Sequence, residues 1–212
     1  MANLNIVVTY PDHNGDATSR QFYNEILRNA PDVAVVPILS GSDIKRLLHI
    51  QNDTLDKGLH TIVSNEEGVY CKTTAGYEFC RMAFTERIVV RLNPMEHDPR
   101  YVPQLAEIVQ ETRGMALGDF IYEVPCSTDS ISESYEMLTI SSAQRLKAIH
   151  PDVLLPVYVE ARKIAEQVFN DNKDDKQIDF DKAMILAAVQ QNVPIDVFPI
   201  PIRAELGRKK VA

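Results

Sequence analysis

The chain has 212 residues, 45% of them hydrophobic and 25% charged, enough to close a full globular core without disulfide or metal staples. Its net charge of −8 and isoelectric point near 5.1 oppose general binding to nucleic acid or anionic membranes, since both depend on cations that displace counterions. Cys71, Cys80 and Cys126 are too scattered for a disulfide framework and read as thiols of a cytoplasmic protein. No signal peptide is expected at the N-terminus, and no apolar run approaches the roughly 18 residues of a membrane span.

Taken in chain order, Leu4 to Thr9 is the first of five short apolar runs with strand character. Thr18-Ser19-Arg20-Gln21 fits a capping box for a helix that carries Phe22, Ile26 and Leu27 and stops near Ala30-Pro31. Val33 to Leu39 is the second strand. Ser42 or Asp43 caps a helix with Ile44, Leu47, Leu48, Gln51 and Leu55 on one face and Gly58 at its end. Thr61 to Ser64 is the third strand. Asn65-Glu66-Glu67-Gly68 reads as a tight turn, so this strand is expected to pair with Val69 to Lys72 as a hairpin, followed by a helix over Thr74 to Phe84. Ile88 to Leu92 is the fourth strand, Tyr101 to Arg113 a helix ending at Gly114, and Phe120 to Val124 the fifth strand.

Beyond Val124 the character changes. The hydroxyl-rich stretch from Pro125 to Ser134 suggests a loop or lid. Helices are expected over Ser142 to Ile149, Pro156 to Phe169, and Asp179 to Gln191, with a polar linker over Asp171 to Lys176. From Val193 to Ile202, prolines alternate with β-branched residues and exclude both a helix and a central strand. An extended arm remains. The pattern therefore predicts an α/β protein: a five-stranded, mostly parallel, Rossmann-like sheet over residues 1–125, a helical extension over 126–192, and an extended Pro-rich arm with a basic end over 193–212.

Recognised chemical signatures are absent. Phosphate-cradling glycine loops have little raw material in eight glycines, and Asp171, Lys173 and Asp175 fail as a calcium loop because Lys176 and Lys182 occupy the positions that need glycine and glutamate. One constellation carries chemistry. With strand order 3-2-1-4-5, the loops after the first and fourth strands flank the switch point and bring Asp12, His13 and Asp16 near Glu96, His97 and Asp98. Asp12, His13, His97 and Asp98 are the candidate catalytic groups for acid/base work. Asp12, His13, Asp16, Glu96 and His97 are the candidate ligands of a divalent metal.

Charge distribution suggests contact surfaces instead. Asp119, Glu123, Asp129, Glu133 and Glu136 fall in a window without lysine or arginine, while Arg208, Lys209 and Lys210 make the C-terminus basic. Together with Ile195, Val197, Phe198, Ile200 and Ile202 of the arm, these residues favour a protein partner, either a second copy or a larger assembly. The leading expectation is accordingly a non-enzymatic assembly subunit that needs no cofactor. The alternative is a small-molecule enzyme, a metal-assisted hydrolase or a transferase, working at the carboxyl ends of the first and fourth strands.

Overall fold

In the computed structural model, residues 5–11, 16–40, 49, 62–64, 69–94, 97–121, 147–171 and 180–201 are described. They build a mixed sheet of seven strands in the order β3-β2-β1-β4-β6-β5-β7. The strands are β1 (Ile6–Tyr10), β2 (Ala34–Ser40), β3 (Ile62–Ser64), β4 (Ile88–Arg91), β5 (Met115–Ile121), β6 (Lys147–Ile149) and β7 (Ile195–Pro201). All neighbours are parallel except β6, which runs antiparallel to β4 and β5. The helices are α1 (Ala17–Asn29), α2 (Val69–Ala83), α3 (Val102–Thr112), α4 (Pro151–Asp171) and α5 (Phe180–Gln190), with a single 3-10 turn at Pro99–Tyr101.

Every residue of β1 and β4 is buried, as a strand covered on both faces requires, so its side chains need no polar alternation. One face, through Ile6, Val8, Tyr10, Val35, Ile88 and Val90, packs on Phe22 and Ile26 of α1 and Val102, Leu105 and Val109 of α3. The other, through Val7, Val36, Val89, Met115, Leu117 and Ile149, packs on α2, α4 and α5 through Tyr77, Cys80, Leu154, Val157, Phe180 and Met184. The result is three layers, helix on sheet on helix.

Capping accounts for two boundaries. The Asp16 carboxylate accepts the Ser19 N–H at 2.7 Å and starts α1, so the cap is this stronger acceptor rather than the expected hydroxyl of Thr18. At the end of α3 the left-handed residue is Arg113, with φ of 51°. The following Gly114 serves a different purpose, since a Cβ there would lie 2.2 Å from the Pro194 carbonyl oxygen. Its small size lets β7 close on β5, where the Met115 N–H donates to that same carbonyl at 2.8 Å.

A mostly parallel α/β sheet is the architecture expected, but several elements differ. The described sheet has seven strands, not five. The expected hairpin gives way to a helix beginning at Val69, whose face through Thr73, Tyr77 and Cys80 is buried at helical spacing. The fifth strand starts earlier, at Met115. Of the helix expected over Ser142 to Ile149, the described residues Lys147–Ile149 form strand β6 instead, because β4 and β5 each present a ladder edge to it; residues 142–146 lie outside the described residues. Pro156 lies inside α4, which begins at Pro151. The arm, in turn, is strand β7, paired with β5 over Ile195 to Pro201. It forms the sheet's outer edge, and the alternation of a strand sends the positions of Pro199 and Pro201 to the same side, so both missing donors fall where no partner needs them. The expected helix from Ser42 to Leu55 lies outside the described residues apart from His49.

Candidate functional site

Parallel strands with helical crossovers gather their carboxyl ends on one edge, and β6, running the other way, brings its first residue to that edge. Register decides what meets there. Thr9 of β1 is paired with Arg91 of β4, and Arg91 in turn with Lys147 of β6. Paired residues point to the same face, so a hydroxyl, a guanidinium and an ammonium form a row beneath α2 and α5. Their exposures are 1%, 4% and 0%.

Burying two cations requires an anion, which α5 supplies from its first turn. Asp181 Oδ2 lies 3.1 Å from Lys147 Nζ and 2.8 Å from Arg91 Nη1. The Arg91 approach is an ion pair without hydrogen-bond alignment, and Arg91 Nε has no hydrogen-bond partner among the described residues. Tyr77 of α2 donates its hydroxyl to Asp181 Oδ1 at 3.4 Å. Burial, reinforced by the Asp181 charge, pushes the Tyr77 phenol well above its ordinary range, so it stays a neutral donor. One carboxylate thereby ties β4, β6, α2 and α5 together at the carboxyl edge.

Beyond β4 the chain passes to the 3-10 turn. His97 is buried there, and its Nδ1 accepts the Asn93 N–H at 2.8 Å. A neutral ring held this way carries its proton on Nε2 and is a donor at that atom. Asp98 is spent on structure: its Oδ1 accepts the Arg100 N–H at 3.0 Å, and its Oδ2 takes the Arg100 guanidinium in two bonds of 2.9 and 2.6 Å. Arg100 itself is mostly exposed beside this edge.

The candidate residues read from the sequence divide as follows. β1 and β4 are neighbours, so the two candidate loops leave adjacent strands. His97 and Asp98 stand as just described, Asp16 caps α1, and Asp12, His13 and Glu96 lie outside the described residues. Among the described residues no group of three His, Cys, Asp or Glu side chains is placed to hold a metal ion. Of the proposed contact residues, Asp119, Ile195, Val197, Phe198 and Ile200 belong to β5 and β7, paired within the chain. Val197 is half exposed, whereas Phe198 packs on the core with its ring 6.3 Å from that of Tyr101. Glu123, Asp129, Glu133, Glu136, Ile202, Arg208, Lys209 and Lys210 lie outside the described residues. Sequence reasoning missed Thr9, Arg91, Lys147 and Asp181. The available signal was Arg91, a charge closing an otherwise apolar strand.

No family model and no curated protein matches the chain. Solved structures do. Glucosyl-3-phosphoglycerate synthase from Mycobacterium tuberculosis, in complex with Mn2+, uridine diphosphate and phosphoglyceric acid, superposes with a TM-score of 0.52 at 14% identity, covering 96% of this chain and 71% of that one. S. aureus TarS 1-349 gives a TM-score of 0.52 at 13% identity, covering 92% of this chain, which spans 58% of the TarS chain. A Bacillus anthracis protein provisionally named a glucose-1-phosphate thymidylyltransferase, in complex with a sucrose, gives 0.50 at 6% identity, covering 94% and 88%. At these identities the likeness establishes a shared fold. It also corrects the leading expectation from sequence: neighbours named as a synthase and a thymidylyltransferase favour the small-molecule enzyme over the non-enzymatic assembly subunit. No helix among the described residues is long and apolar enough to cross a membrane.

Proposed function

We propose that the chain is a transferase acting on a nucleotide-linked or phosphorylated sugar bound at the carboxyl edge of β1 and β4. The observation that carries this reading is the adjacent buried pair Arg91 and Lys147 at that edge, in a fold shared with a synthase that binds uridine diphosphate and with a protein named a thymidylyltransferase. Glycosyl transfer expels a nucleoside diphosphate; nucleotidyl transfer expels pyrophosphate. In either case the bond to the leaving group breaks with its electron pair moving onto a phosphate oxygen. Fixed cations in a water-poor site stabilise that developing charge without reorganising. Asp181 holds them in place.

The synthase neighbour holds Mn2+, but the described residues here do not fit a resident metal. Asp98 is committed to Arg100 and no three-ligand group exists among them. The test is a thermal-shift and calorimetric titration of the whole chain with uridine, thymidine, cytidine, adenosine and guanosine diphosphates and their sugar conjugates, with and without Mn2+. A ligand present at 100 times its Kd stabilises the native state by about 2.7 kcal/mol, and at least one member is expected to do so. Chromatography of reaction mixtures then separates nucleoside diphosphate from pyrophosphate as product. No stabilisation by any member overturns the reading.

A further inference from the structure

Thr9 Oγ1, Thr73 Oγ1, and Nε and Nη1 of Arg91, in residues each more than nine-tenths buried, have no hydrogen-bond partner among the described residues. Leaving a buried donor or acceptor unmet is costly, and such orphans are few in native proteins. Their clustering calls for a common cause.

Placement supplies one. Thr9 and Arg91 are register partners on neighbouring strands, about 4.8 Å apart, with side chains on one face. Helix α2 presses on Thr9, since a Cβ at Gly76 would lie 2.6 Å from its Oγ1. Thr73 precedes Gly76 by three residues and shares that helix face. Because α2 connects two parallel strands, it starts at the carboxyl edge and runs back, so Thr73 lies on the edge side of Gly76. Two hydroxyls and an N–H of a guanidinium thus converge on the carboxyl edge, beside the Lys147 ammonium. Donors of this kind, a guanidinium among them, select an anion with several acceptor oxygens.

We propose that Thr9, Thr73 and Arg91 form the subsite that receives a phosphoryl group of the substrate. This rests on the transferase reading only for the identity of the molecule that carries the phosphate. The subsite explains why hydroxyls persist where valine would pack equally well: threonine and valine are nearly the same size, and only the hydroxyl needs a partner. In the unliganded protein those hydroxyls are a burden; with phosphate bound they become ligands.

The test compares the wild type with Thr9→Val and Thr73→Val, using inorganic phosphate, pyrophosphate and uridine diphosphate as probes in calorimetry and 31P resonance titration. Thr112→Val is the control, because the Thr112 hydroxyl already donates to the Ile108 carbonyl on α3. Thr9→Val and Thr73→Val are expected to keep or raise the unliganded melting temperature and to weaken phosphate binding about tenfold each, the worth of a hydrogen bond to a charged group. The control is expected to bind like the wild type. Unchanged phosphate affinity in both variants overturns the subsite, as does a wild type that binds none of the probes. Should either variant fold poorly, Arg91→Lys keeps the charge that pairs with Asp181 but removes Nε, and unchanged phosphate affinity there overturns it equally. The two proposals fail separately. If nucleotide ligands bind the variants and wild type alike, the subsite falls and the transferase reading stands; if inorganic phosphate binds with the expected sensitivity and no nucleotide or sugar nucleotide binds, the reverse holds.

Discussion

At the residue scale, Asp181 meets side chains from three other elements, Arg91, Lys147 and Tyr77. Its carboxylate faces two cations that are at most 4% exposed, so Asp181→Ala breaks a buried charge cluster and is expected to cost about 3–5 kcal/mol. Urea unfolding of the variant measures this, and a loss within 1 kcal/mol would mean that the cations find compensation elsewhere. His150 makes a pH-dependent contribution. Its Nδ1 accepts the Asp152 N–H at 3.2 Å at the start of α4, which only the neutral ring with its proton on Nε2 can do. Desolvation is the main cause that lowers its pKa below the ordinary 6.5, with Asp152 opposing and Arg113 assisting. The unfolded chain therefore takes up the proton first. This stabilising contribution is complete above pH 6.5 and is lost as pH falls toward the folded-state value. His150→Asn keeps an acceptor but does not titrate, so its stability curve is expected to be flatter below pH 6.5 than that of the wild type in denaturant titrations at stepped pH.

At the element scale, caps and close approaches decide the boundaries. Asp16→Ala removes the acceptor for the Ser19 N–H and is expected to cost about 1 kcal/mol, read as a lower denaturant midpoint at unchanged slope. Gly114→Ala drives a methyl group into the Pro194 carbonyl and must shift backbone, not a flexible side chain. A cost of about 1–3 kcal/mol is expected, with faster amide exchange along β5 and β7 as the local readout. Composition explains why these elements were unequally visible in the sequence. β1, β2 and β4 are short runs rich in β-branched residues with both faces covered, so they appear as largely apolar stretches, with Arg91 the one charge among them. β6 does not, because Lys147 occupies one of its three positions and resembles a solvated helix residue until its partner Asp181 is known. β7 was disguised by its prolines, which suit an edge and no other place in a sheet.

At the scale of the whole molecule, the sheet is closed at its far side by chain that follows α5. Truncation after Asn192 removes β7, exposes the ladder of β5 and uncovers the surface under Phe198. A lower melting temperature for the truncated chain is expected, and an unchanged one would show that β7 adds no stability to the sheet. The amino-acid sequence by itself determined the α/β class and the parallel arrangement of β1, β2, β3 and β4, whose carboxyl ends therefore share one edge, because burial pattern and strand–helix alternation are local properties. Only the tertiary structure decided which charges meet at that edge. Arg91, Lys147 and Asp181 come from three distant segments, and Lys147 and Asp181 each read alone as an ordinary charged residue; strand register and the docking of α5 bring them within ion-pair distance of one another. For the same reason Thr9 and Thr73 carried no signal, since a hydroxyl becomes informative only when the fold buries it without a partner.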